Sequence, residues 1–113
     1  MKKELSPEPY ERSEAEQKSL DFFHEGQALA ASGEVESALA KIEESLALAR
    51  NNNDPEWTAY LGGTVAYLNG DLEKLQSLVD KAGANNVTLT RLAKGLEARG
   101  AVDYKEDYYK VKL

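Results

Sequence analysis

The sequence has no cysteine, a single histidine, three prolines and no long apolar run. Each shortage removes a class of function. Without thiols there is no disulfide framework, zinc ribbon, thiol nucleophile or iron–sulfur ligation. With His24 as the lone imidazole, a zinc centre would have to be completed by carboxylates, an unusual donor set. No stretch approaches the roughly 18 apolar residues that span a bilayer. Met1-Lys2-Lys3 is followed by Glu4-Leu5-Ser6-Pro7 rather than by the apolar core of a signal peptide. The expected setting is therefore cytoplasmic, with no membrane. A basic excess is missing too: 14 Lys and Arg stand against 20 Asp and Glu, net −6. That sign disfavours a polyanionic partner, so no nucleic acid is expected. Gly62-Gly63-Thr64 lacks the lysine and the preceding strand of a phosphate-binding loop.

What is present suffices for one folded domain. In 113 residues, 42% are hydrophobic and 30% charged, the proportions of a chain with a core. A domain of this size buries about two-thirds of the surface that its unfolded chain exposes. Charge is spread unevenly. Residues 1–57 hold 13 acids and 6 bases, whereas residues 81–113 hold 7 bases and 4 acids. Ordinary solvated helix faces account for this. So does a C-terminal end that attracts an acidic partner or the acidic end of another copy.

Residues 1–12 read as a flexible tail, because Pro7 and Pro9 deny helix and few large apolar side chains occur, and residues 13–113 read as the helical domain. Ser13-Glu14-Ala15-Glu16 is a capping box, from which a helix runs to about Ser32 and ends at Gly33. A second helix over about 35–50 has Val35, Ala38, Leu39, Ile42, Leu46 and Ala49 on one face. Asp54-Pro55 starts a third, about 55–69, closed by Gly70. Asp71 caps a fourth, about 72–82, closed by Gly83. Val87-Thr88-Leu89-Thr90 alternates like a strand, but Leu89, Leu92, Ala93 and Leu96 carry a helical period on to Arg99 and Gly100. Asp103 then caps a short sixth helix. The reading is all-α: six helices in three antiparallel hairpins, turning at Gly33, Gly70 and Gly100.

Hairpins turning at intervals of 37 and 30 residues suggest repeats. Residues 22–48 resemble the tetratricopeptide repeat family: Gly26 matches its small residue in the first helix, and Gly33-Glu34 its turn. Val35 matches the large side chain beside that turn, Ala38 the small residue of the second helix, and Ile42 and Leu46 the core. Around 57–82, Gly63, Gly70-Asp71-Leu72 and Ala82 fit the same pattern. There Gly62 stands in place of a usual Leu and Leu75 in place of a small residue, which leaves the register of the third helix open by one. From Leu89 on, Ala93 and Gly100 fit and Lys105 does not, as in a terminal capping unit. The resemblance implies three stacked hairpins in a right-handed superhelix whose first helices line a concave face.

No catalytic constellation emerges, so the expectation is a protein that is not an enzyme and needs no cofactor or metal. His24 has only Asp21 within helical reach. Glu43-Glu44 and Glu106-Asp107 are sequence neighbours on helices, so each pair diverges and reads as solvated. By the resemblance, the concave face carries Phe23 and Gln27, then Trp57, Tyr60, Thr64 and Tyr67, then Arg91 and Lys94. Rings with polar tips suit binding surfaces. The family's clamp for acidic C-terminal peptides is not matched, since its Lys and Asn places hold Phe23, Gln27 and Leu61; Arg91 and Lys94 remain as carboxylate contacts. The expected function is a small interaction module that takes a protein or peptide partner in an aromatic groove. The alternative is a structural unit that forms a homo-oligomer.

Overall fold

The computed structural model describes residues 14–51 and 54–109; every regular element among them is a helix and none is a strand. Helix α1 is Glu14–Ala31, α2 Val35–Asn51, α3 Pro55–Leu68, α4 Leu72–Val79 and α5 Asn86–Arg99. A 3-10 turn, Gly83–Asn85, leads into α5, and a π-helical turn, Lys105–Tyr109, is the sixth helix. The expected N-terminal tail and the Ser13 cap lie outside the described residues. Among the described residues, no helix is long and apolar enough to cross a membrane.

The punctuation read from the sequence sets these boundaries. At the end of α1, Gly33 N–H donates to Ala30 O and Glu34 N–H to Leu29 O; at the end of α3, Gly70 N–H donates to Tyr67 O and Asp71 N–H to Ala66 O. This paired pattern satisfies the last carbonyls but requires a left-handed residue, and Gly33 and Gly70 supply φ of 87° and 74°. The following helices start on side-chain caps. Asp54 accepts from Trp57 N–H at 3.2 Å and Asp71 from Lys74 N–H at 3.1 Å. Helix α4 stops at Val79, short of the expected 82, because Lys81 N–H and Ala82 N–H turn back three residues to Leu78 O and Val79 O. The ambiguous Val87–Thr90 stretch is helical. The final helix is wound more widely than an α-helix, with the Asp103 carboxylate accepting from Glu106 N–H at 3.2 Å.

Each helix packs on the next in sequence, and α3 also meets α5. Helices α1 and α2 close up at Gly26, where a Cβ would come within 3.0 Å of Ile42 Cδ1 and 3.2 Å of the Ala38 carbonyl. Ala38 and Ile42 are fully buried there, so the expected close crossing of Gly26 and Ala38 is in place. In the second hairpin the register shifts by one from the sequence match. Gly62 faces Leu78 of α4, sixteen residues further on, the same separation as Gly26 and Ile42 (62 to 78, 26 to 42). Gly63, which fits the repeat pattern, faces α5 instead, with Leu89 Cδ1 2.7 Å from where its Cβ would stand.

Candidate functional site

The eight residues expected to line a groove lie on α1 (Phe23, Gln27), α3 (Trp57, Tyr60, Thr64, Tyr67) and α5 (Arg91, Lys94). Their setting differs from that expectation. Phe23, Gln27, Tyr60, Thr64 and Tyr67 are buried, Trp57 and Arg91 are half-buried, and Lys94 is exposed. The aromatic stripe is an interior seam and not an open groove, for two physical reasons.

The first is that α1 and α3 use their rings on each other. Phe23 meets Trp57 and Tyr60 edge-on, with both centroid separations 5.3 Å. Such geometry places a ring edge against a ring face and fills the seam. The indole N–H of Trp57 donates to Ser19 Oγ at 2.9 Å. Ser19 in turn donates to Ser45 O, and Ser45 Oγ to Ser19 O, so two buried hydroxyls lock α1 to α2 while the indole fixes α3 beside them. Thr64 spends its hydroxyl within α3, on Tyr60 O at 3.0 Å.

The second is that the chain covers the rest of the seam itself. Residues 103–108, here the C-terminal arm, turn back after Gly100 and lie over α3 and α5. Tyr104 is 2% exposed; its hydroxyl accepts from Gln27 Nε2 at 2.8 Å, and its ring lies 6.1 Å from that of Tyr67. Tyr108 stacks on Tyr104 with centroids 5.0 Å apart and planes 7° from parallel. Asp107, expected to be solvated, is 6% exposed, and both its oxygens are held. Arg99 Nη2 donates to Oδ1 at 2.6 Å and Nη1 to Oδ2 at 3.0 Å, a two-point grip that matches carboxylate geometry. The Tyr67 hydroxyl donates to Oδ2 at 2.6 Å and accepts from Asp103 N–H at 2.8 Å. Helix α5 makes room with Gly95, whose missing Cβ leaves the space that the Asp107 carboxylate occupies.

The electrostatics follow. Burial, reinforced by the hydrogen bond to Asp107, holds the Tyr67 hydroxyl well above the ordinary tyrosine range, so it stays protonated and keeps donating. The hydrogen bond to Asp107 likewise raises Arg99, fixing its charge.

Gly95, Arg99 and Asp107 are the site residues that sequence reasoning missed. One local signal pointed there: a glycine in a helix interior costs about 1 kcal/mol against alanine, so it calls for a packing reason. The two expected cations are placed differently from Arg99. Arg91 lies one turn before Gly95 on α5, and its Nε is shut from solvent with no hydrogen-bond partner. Lys94 stands out in solvent. Among the described residues, no three metal-ligating side chains come together. No protein-family model, curated protein or solved structure matches the chain, so its likeness to tetratricopeptide repeats rests on the residues described above.

Proposed function

We propose that the chain is a protein-interaction module of tetratricopeptide-like build that takes a peptide segment along the α1–α3–α5 face. The observation that carries this reading is the way the arm sits there. A short segment beyond the last α-helix is anchored by two side chains, the Tyr104 ring against Gln27 and Tyr67 and the Asp107 carboxylate on Arg99 and Tyr67, with Asp103 N–H donating to the Tyr67 hydroxyl between them. That is the chemistry of peptide recognition: an aromatic anchor in a pocket and a desolvated, doubly bonded charge. The orphaned Arg91 Nε adds support, because a buried donor without a partner costs about 1–3 kcal/mol and an incoming acceptor would recover it.

The test is a random peptide library selected against the full chain, with light scattering on the same sample. Enriched peptides whose affinity falls with Arg91→Glu or Lys94→Glu support the module. Enriched peptides indifferent to both substitutions place binding elsewhere. A homodimer with no enriched peptide favours the self-associating alternative.

A further inference from the structure

Arg91, Gly95 and Arg99 recur at four-residue steps on α5, so they form one stripe along the helix. Successive members stand about 6 Å apart along the axis. The stripe is half used. Asp107 fills the station between Gly95 and Arg99, with Tyr67 as its far wall. The other station, at Arg91, has a buried guanidinium nitrogen and nothing bonded to it. The described hydrogen bonds of the arm reach Tyr67 and Arg99, and none of them reaches Arg91.

The arm's hold on its own station comes mainly from the Tyr104 and Asp107 side chains, with Asp103 N–H donating to the Tyr67 hydroxyl and Arg99 Nη1 to Ala101 O beside them. Five residues of π-helix form no stable helix by themselves, because a short helix does not offset its nucleation cost. Without the Tyr104 and Asp107 contacts the segment loses its two most buried anchors, and the Asp103 N–H bond to Tyr67 and the half-buried Val102 and Tyr108 remain. Its link to α5 is short and sharply turned, through Gly100 at φ 72°.

Resting on the reading of this face as a peptide site, we infer that the stripe is a two-station carboxylate groove. Its ligand is an acidic peptide in which an aromatic residue precedes one carboxylate by three positions and a second carboxylate reaches Arg91. Tyr104 and Asp107 have that three-residue spacing and act as a tethered stand-in. The tether gives the arm an effective concentration in the millimolar range, which excludes casual competitors. A ligand that fills both stations gains the Arg91 contact the arm never makes, and so displaces it. The basic excess of residues 81–113, 7 bases to 4 acids, draws such a peptide toward this end of the chain.

The probe is the arm peptide Val102-Asp103-Tyr104-Lys105-Glu106-Asp107-Tyr108, made as such, with Asn for the Asp107 carboxylate, and with two glutamates added at either end. Each is titrated by fluorescence anisotropy into the full parent chain and into Tyr104→Ala/Asp107→Ala, whose helicity is checked by circular dichroism. The opened chain is expected to bind the plain peptide at least about tenfold more tightly than the parent does, and the Asn peptide at least about tenfold more weakly than the Asp peptide. One of the extended peptides is expected to gain affinity, and Arg91→Ala to cancel that gain while leaving the plain peptide unaffected. If the double variant loses its helicity, Asp107→Asn in the full chain takes its place in the same titrations. Equal affinity for Asp and Asn peptides, or no gain on opening the arm, overturns the inference. Library peptides that depend on Arg91 or Lys94 but carry no acid preference would leave the module standing and remove only the carboxylate groove.

Discussion

Two buried polar junctions occur in this protein. Where α1, α2 and α3 meet, Ser19 and Ser45 bond each other's backbone carbonyls and hold the Trp57 indole. Where α3, α5 and the arm meet, Tyr67 and Arg99 hold the Asp107 carboxylate. The first junction is neutral and built from short side chains on helix interiors. Its groups reach partners only because the helices are already close, so it is a joint. The second is ionic and joins the body of the fold to a short segment on a turn. A buried charge must be matched in sign and geometry, so this junction tolerates loss of a partner less well. The fold thus carries a neutral joint between helices and an ionic contact that seats the arm.

The sharpest way to break the contrast is to strand the charge. Arg99→Ala leaves the Asp107 carboxylate nearly buried with Tyr67 alone to bond it. The expected cost is about 2–3 kcal/mol, below that of a fully enclosed pair because solvent reaches the guanidinium, and the arm should lose its protection from hydrogen exchange. Next comes Tyr67→Phe, which removes the bond to Asp107 and the one accepted from Asp103 N–H, for about 2 kcal/mol by denaturant melting. This variant also tests the pH behaviour. The Tyr67 hydroxyl is held above its unfolded value, so its stabilising contribution is complete below about pH 10 and is lost as the pH rises beyond it. The melting temperature of the parent should therefore fall more steeply in that alkaline range than that of Tyr67→Phe.

At the neutral joint, Ser45→Ala should cost about 1–2 kcal/mol in the same assay, because one interhelical bond goes while Ser19 still donates to the residue 45 carbonyl. It should leave hydrogen exchange in the arm unchanged; a loosened arm would mean that the two junctions are coupled. The smallest effect is expected from a cap remote from both. Asp71→Ala removes the bond to Lys74 N–H and should cost about 1 kcal/mol.

The helices were legible because their ends are written in local chemistry. Gly33, Gly70 and Gly100 supply left-handed backbone where helices stop, and Asp54 and Asp71 accept early N–H groups where helices start. Periodicity does fix which side chains share a stripe of one helix, and Phe23, Trp57 and Tyr60 of α1 and α3 do meet. Their burial was not legible. Whether an aromatic stripe is a groove or a seam depends on what covers it, and the cover is a segment about 40 residues away along the chain from Tyr67. Ser19 and Ser45 do fall on the buried stripes, with Phe23, Gly26 and Ala30 and with Ala38, Ile42 and Ala49, but their polarity hid them, because a hydroxyl becomes a core residue only when another helix offers a carbonyl. Asp107 was misread for a related reason. Adjacent acids on a helix do diverge, but the wide turn directs one of them inward to Arg99 while Glu106 stays partly exposed.

The claim that Asp107 occupies a place kept open by Gly95 has a direct test in a double-mutant cycle, read by chemical denaturation. In the parent, Gly95→Ala puts a methyl group where the carboxylate sits, and should destabilise by about 1–3 kcal/mol. In an Asp107→Ala background the space is empty, and the same substitution should stabilise by up to about 1 kcal/mol through helix propensity alone. A reversal of sign between the two backgrounds is the result expected; an equal effect of Gly95→Ala in both would contradict the seating of Asp107 on α5.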